Sequence, residues 1–117
     1  CHWFSSMPAA DLIAPLNAAD WLLLPSRHEN FGNIVVEALA CGCGAVVTDR
    51  VGVSELLVDC PGVLVSPRTI SSLSSALNKA LSMKRPGGLS ESWIKTRFNN
   101  HTISLQALDL YKRIIGR

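Results

Sequence analysis

No apolar stretch in this chain approaches the roughly 20 residues that cross a bilayer, and its first residues lack the layout of a secretory signal. Charge is sparse as well. Charged residues make up 17% and the formal net charge is only +2, so neither nucleic acid nor an acidic membrane is expected as a partner. Four cysteines are present, Cys1, Cys41, Cys43 and Cys60. Cys41 and Cys43 flank Gly42, but a second CxxC pair or a nearby histidine pair, which a zinc site would need, is missing. No metal is therefore expected. The thiols are read as reduced, mostly buried, small apolar residues, which fits a reducing cytoplasm. Internal repeats and low-complexity segments are absent, and the first residue is not Met, from which an upstream part is expected. What is there is a chain of 117 residues with 48% apolar content. That makes one modest globular α/β domain, or part of one.

The informative stretch runs from residue 25 to 44, PSRHENFGNIVVEALACGCG. Before it, Trp21–Leu24 is a short apolar run that stops at Pro25, as a buried strand does. A polar turn follows, Ser26 to Asn30. From Gly32 onward Ile34, Val35, Ala38 and Leu39 recur at helical spacing until the glycines of CGCG end the helix. In an open parallel sheet, ligands bind where a strand's carboxyl end meets the amino end of the next helix. The N–H groups of Gly32, Asn33 and Ile34 would face that crevice with the positive end of the helix dipole behind them, a site suited to phosphate.

Two carboxylates flank this helix end. Glu29 lies in the loop, and Glu37 lies about a turn and a half inside the helix, about 7 Å along the axis. A carboxylate only accepts hydrogen bonds and can take two neighbouring hydroxyls at once, so sugars and ribose are natural partners. Phosphate in the middle with a hydroxyl reader on either side describes a nucleotide diphosphate sugar.

The segment PSRHENFGNIVVEALACG resembles the E-x7-E signature of retaining glycosyltransferases of family 4, which have the GT-B fold. The resemblance implies that Glu29 binds hydroxyls of the donor sugar and Glu37 the ribose hydroxyls. Amides of the loop and helix, over Asn30, Phe31, Gly32, Asn33 and Ile34, would hold the sugar and the diphosphate. Further on, TDRVGVSELL resembles the family's T-D-x-G-G-x-x-E stretch, with Gly52 and Glu55 matching. Val51 stands in place of a usual Gly, Ser54 in place of a common Pro, and Gly44 where a Pro commonly follows the ACG element.

The remaining segments complete an alternation of strands and helices, which predicts a Rossmann-like open parallel sheet with flanking helices and right-handed crossovers. Residues 1–5 read as the tail of a strand, and 8–18 as a helix with Ser6 as its cap and Pro15 kinking or shortening it. Residues 45–48 and 63–66 read as strands. A helix over 69–83 has Ile70, Leu73, Leu77, Ala80 and Leu81 on one face and a cap from Ser66 or Thr69. Residues 84–88, KRPGG, read as a linker. Helices over 90–98 and 102–115 close the chain, the second with Ala107, Leu108, Tyr111, Ile114 and Ile115 along one side. The tryptophans Trp3, Trp21 and Trp93 are expected in the core or at its rim.

The resemblance spans nearly the whole chain but maps to the second half of a GT-B C-terminal, donor-binding domain. Residues 1–83 would form its Rossmann-like part and 84–117 its C-terminal helices. Missing would be the N-terminal acceptor-side domain, the early donor-domain strands and the basic pair that the family aims at the diphosphate. The implied activity moves a sugar from a nucleotide diphosphate sugar to a saccharide, lipid or other acceptor with retention, without metal or cofactor. Glu29 is the sugar-positioning catalytic residue. The expected location is the cytoplasm, with any peripheral membrane contact made through the missing domain. The rival reading is a non-catalytic nucleotide-binding or structural remnant, in which Glu29 is an ordinary loop charge and Glu37 a solvated helix residue. His28 reads as an exposed bystander in either case.

Overall fold

The computed structural model describes residues 2–116. The regular elements in order are α1 (Ala9–Ala18), β1 (Trp21–Leu24), α2 (Asn33–Ala40), β2 (Gly44–Thr48), a 3-10 helix (Gly52–Leu57), β3 (Val63–Ser66), α3 (Ile70–Ser82), α4 (Gly88–Arg97) and α5 (Asn100–Ile115). The strands form a parallel sheet in the order β1-β2-β3, with Trp21 opposite Gly44 and Ala45 opposite Val63. This is the α/β, Rossmann-like architecture expected from the alternation of periods.

The central strand β2 is buried along its whole length, as a strand covered on both faces must be. Side chains alternate between the faces. Ala45 and Val47 join Val35 and Leu39 of α2, Leu57 of the 3-10 helix and Ile94 of α4 in the main core. Thr48, on the other face, lies with Leu73 of α3. Helices α2 and α4 thus cover one side and α3 the other. A second small cluster of Leu16, Ala38 and Cys43 joins α1 to α2. Trp93 packs against the main core and stacks under the Arg97 guanidinium, 4.2 Å from its ring centroid.

Several local expectations are corrected. The strand tail read over residues 1–5 is absent from His2–Ser5, and Cys1 lies outside the described residues. Trp3 is 91% exposed, so it belongs neither to the core nor to its rim; none of the described strands offers these residues a ladder. Ser6 does not cap α1, which begins after Pro8 without a side-chain cap. Pro15 neither ends nor shortens that helix. Its missing N–H orphans only the Asp11 carbonyl, and both residues sit on the exposed side where water can serve.

Helix α3 is capped by Thr69, whose Oγ1 accepts from the Ser72 amide at 3.2 Å. Its expected apolar face is only partly used, because Ile70 and Leu81 are exposed. Helix α5 starts two residues earlier than expected, since Asn99 Oδ1 accepts from the Thr102 amide at 2.8 Å and caps it. It buries no residue.

The KRPGG segment is not a loose linker. Arg85 donates to three backbone carbonyls, from Nε to Gly42, from Nη1 to Asn17 and from Nη2 to Cys41. One guanidinium thereby serves orphan carbonyls at the ends of α1 and α2, where a cation also complements the helix dipoles. The Gly87 amide adds a bond to the Gly42 carbonyl at 3.0 Å.

Candidate functional site

Helix α2 begins at Gly32, whose φ of 92° places it in the left-handed region, and no side chain caps it. Its first amides, those of Asn33 and Ile34, have no intrahelical acceptor and stand at the carboxyl edge of the sheet. The left-handed region is costly for any residue that carries a Cβ and open to glycine. Here the space is closed as well: a Cβ on Gly32 would lie 2.7 Å from Val51 Cγ1.

The loop after β1 and the loop after β2 are bound to each other. The Glu29 amide donates to the Arg50 carbonyl at 3.2 Å, the Gly52 amide to the Glu29 carbonyl at 3.0 Å, and the Val53 amide to the Phe31 carbonyl at 2.8 Å. Thr48 Oγ1 donates to the Ser26 carbonyl at 2.6 Å. Gly52 passes so close that a Cβ there would fall 1.9 Å from the Asn30 carbonyl oxygen. These contacts extend the β1–β2 pairing into the loops, as an isolated parallel bridge between Glu29 and Val51. Val51, which stands where the resembled family usually has Gly, is 1% exposed and covers Gly32.

Around this frame the expected site residues fall into two groups. Glu29 is half-buried, and its Cγ lies 3.6 Å from where a Gly32 Cβ would be, so its stem lies against the start of α2. Gly32 is buried, Ile34 is half-buried, and Asn30, Phe31 and Asn33 are exposed around the same helix end. Glu37 is exposed, about one turn along α2 from Asn33, and lines a groove of about 290 Å³ between α1 and α2, with Leu12, Ile13 and Leu16 opposite. His28 is exposed. No cluster of three metal-ligating side chains occurs among the described residues.

The thiols are unpaired at Cys41, Cys43 and Cys60. Burial pushes Cys43 up from its ordinary value, and raises Cys60 to about 11. Both are poor nucleophiles, as core thiols are. No described helix is long and apolar enough to cross a membrane.

The sequence model of the family described as "Glycosyl transferases group 1" matches residues 1–99. The chain belongs to the group 1 glycosyltransferases. Among its relatives, the 2-deoxystreptamine glucosyltransferase of Streptomyces kanamyceticus is 27% identical over 95% of this chain and 30% of that protein. Glycogen synthase of Mycobacterium tuberculosis is 35% identical over 61% of this chain and 17% of the enzyme. The D-inositol 3-phosphate glycosyltransferase of Corynebacterium jeikeium is 38% identical over 67% and 19%. This group 1 chain therefore spans less than a third of the length of these relatives. Its fold is similar to that of sucrose-phosphate synthase from Thermosynechococcus elongatus, with a TM-score of 0.75 at 24% identity, covering 97% of this chain and 30% of that one.

The tie between the two loops through Gly52 and Val51 was not foreseen from sequence, although the matching Gly52 and the departure at Val51 were its signal. The 3-10 helix that follows, and the clamp made by Arg85, carried no signal of their own.

Proposed function

We propose that this chain is the donor-binding part of a retaining glycosyltransferase of family 4, from the second half of a GT-B C-terminal domain. Residues 1–83 form the Rossmann-like part and 84–117 the closing helices. The observation that carries this is the uncapped, glycine-entered start of α2, with Glu29 folded against it and Glu37 on the same helix.

The diphosphate of a nucleotide sugar lies against the amides of Gly32, Asn33 and Ile34, where the helix dipole meets the negative charge. Glu29 accepts from sugar hydroxyls, with Asn30 and Phe31 beside it, and Glu37 accepts from the ribose. In the reaction the bond between the anomeric carbon and the diphosphate oxygen breaks, and its electron pair leaves with the diphosphate. An acceptor hydroxyl oxygen bonds to the same face of the sugar carbon and passes its proton to the departing diphosphate oxygen. The amides stabilise charge as it grows on the leaving group, and Glu29 fixes the sugar at that moment. No metal or cofactor is called for in this reading, and the acceptor is held by the N-terminal GT-B domain. The unpaired thiols go with a cytoplasmic location.

The test is to incubate the complete protein with a panel of nucleotide sugars and acceptors. Nucleoside diphosphate release is followed, and the anomeric configuration of the product is read by proton NMR. A product of unchanged configuration is expected, and an inverted one contradicts the proposal. Nucleotide binding without any turnover would support the rival, non-catalytic remnant.

A further inference from the structure

A second cavity opens at the carboxyl edge of the sheet, on the face opposite α2. It has a volume of about 230 Å³ and is lined by Pro25 and Arg27 after β1, Thr48 at the end of β2, Arg68 and Thr69 after β3, and Leu73 of α3. Its position follows from the alternation along β2. Thr48 points toward α3, whereas Val47 points into the core beneath α2.

Its walls differ in what they can still offer a ligand. The Thr48 hydroxyl is spent on the Ser26 carbonyl. The Thr69 hydroxyl donates to Ser72 Oγ at 2.8 Å and accepts from the Ser72 amide, so the start of α3 is already capped. The two guanidiniums are different. The ion pairs among the described residues join Arg50 to Asp49, Lys95 to Glu91 and Arg113 to Asp109, and among these residues neither Arg27 nor Arg68 has a carboxylate partner. No acidic side chain lines the cavity. Two unpaired arginines, brought from separate loops onto one small cavity, present planar forks of N–H donors suited to phosphate oxygens.

We propose that this cavity is a phosphoryl-binding site, taking the phosphomonoester group of a ligand between Arg27 and Arg68. At about 230 Å³ it falls below the roughly 300–1,000 Å³ of pockets that enclose a whole small molecule. It therefore takes the charged group and leaves the rest of the ligand outside. The inference does not depend on the donor reading, because the two sites lie on opposite faces of the sheet and share no residue.

The experiment measures thermal unfolding of the complete protein in increasing sodium phosphate against sodium chloride at matched ionic strength. A ligand that binds only the folded state raises the midpoint in a saturable way. A phosphate-specific rise is expected in the parent protein and in Arg113→Ala. In Arg27→Ala or Arg68→Ala, at least about tenfold more phosphate should be needed for the same rise, with Arg68→Lys intermediate. Both arginines are exposed, so the variants should fold. Phosphate should also protect Arg68, and not Arg113, from phenylglyoxal when the modified peptides are weighed. A rise of equal size in chloride, or one that survives in the Arg27→Ala/Arg68→Ala double variant, overturns the proposal. So does arginine-dependent binding to anionic vesicles without any saturable effect of inorganic phosphate, which would mark a membrane-facing surface instead. Loss of nucleotide-sugar binding in Glu29→Ala with this phosphate response intact would leave the site standing and bear only on the donor reading.

Discussion

The paired loops of residues 25–32 and 49–53 and the helix α5 are both made from ordinary local elements, yet they are held in opposite ways. The loops are short of regular structure, but each is tied to the other by three backbone bonds and by two glycines that admit no side chain. Helix α5 is regular over 16 residues and has almost nothing beneath it. Ile103, Leu105, Leu108, Tyr111 and Ile114 are each about half or more exposed, from 49% to 64%. At about 1.5 Å per residue the helix runs some 24 Å. A cap at Asn99 and the Asp109–Arg113 pair supply local support worth tenths of a kcal/mol to about 1 kcal/mol. Order in the loops is therefore tertiary, and order in α5 is local. A ligand cradle requires the first kind, since its geometry must not be renegotiated when substrate arrives.

That contrast can be broken at Gly52. Gly52→Ala places a methyl group 1.9 Å from the Asn30 carbonyl oxygen, and backbone cannot swing aside as a side chain can. Destabilisation of about 3 kcal/mol or more is expected, with donor binding lost in whatever protein remains folded. Urea unfolding followed by circular dichroism would measure it, and a wild-type midpoint would show that the loops are looser than described.

Arg85→Ala should come next, at about 2 kcal/mol, because it leaves carbonyls of Asn17, Cys41 and Gly42 without a charged donor. The same unfolding curves serve. Lysine at this position should recover only part of the loss, since one ammonium lacks the planar fork that reaches three oxygens.

Cys60 offers a pH test of the closed region. Its thiol is raised from 9.0 to about 11 by burial, against a smaller opposing effect of Arg97. A group whose folded pKa is raised contributes stability that is complete below its unfolded pKa and is lost as pH rises through the folded one. Stability should therefore fall between about pH 9 and pH 11, by at most about 3 kcal/mol. Cys60→Ala should flatten that part of the profile, and an unchanged slope in the variant would place the cause elsewhere.

The smallest effect should be on α5. Leu108 is 50% exposed, and Leu108→Ala should alter stability by no more than about 0.5 kcal/mol. A loss of 2 kcal/mol or more in the same assay would mean that α5 is packed in solution and that the contrast is wrong.

The sequence made the periodic parts readable. The helical spacing of Ile34, Val35, Ala38 and Leu39, the apolar run at Ala45–Val47 and the cap at Thr69 are local signals, and each element formed where its period called for one. The misreadings share a physical cause. Arg85 looked like part of a polar linker because its acceptors at Cys41 and Gly42 lie more than 40 residues back in the chain. Gly52 stood out through the motif it matched, but its close approach to Asn30 depends on how β1 and β2 are registered. The stripe on α5 shows the converse case: an amphipathic pattern marks a face that could be buried, and says nothing of whether a surface lies opposite it. At the site, the chemistry of Glu29 and Glu37 could be proposed from spacing alone. Their separation between the helix start and the α1–α2 groove could not.

That separation also frames the most direct test, calorimetry of a nucleoside diphosphate and of the corresponding nucleotide sugar binding to the complete protein. If Glu37 reads the ribose, Glu37→Ala should weaken both ligands alike. If Glu29 reads only the sugar, Glu29→Ala should leave the diphosphate nearly unchanged and weaken the nucleotide sugar. A hydrogen bond to a charged group contributes about 1.5–3 kcal/mol, so each loss should be about tenfold or more. Abolition of diphosphate binding by Glu29→Ala, with Glu37→Ala sparing it, would contradict the assignment of the two carboxylates.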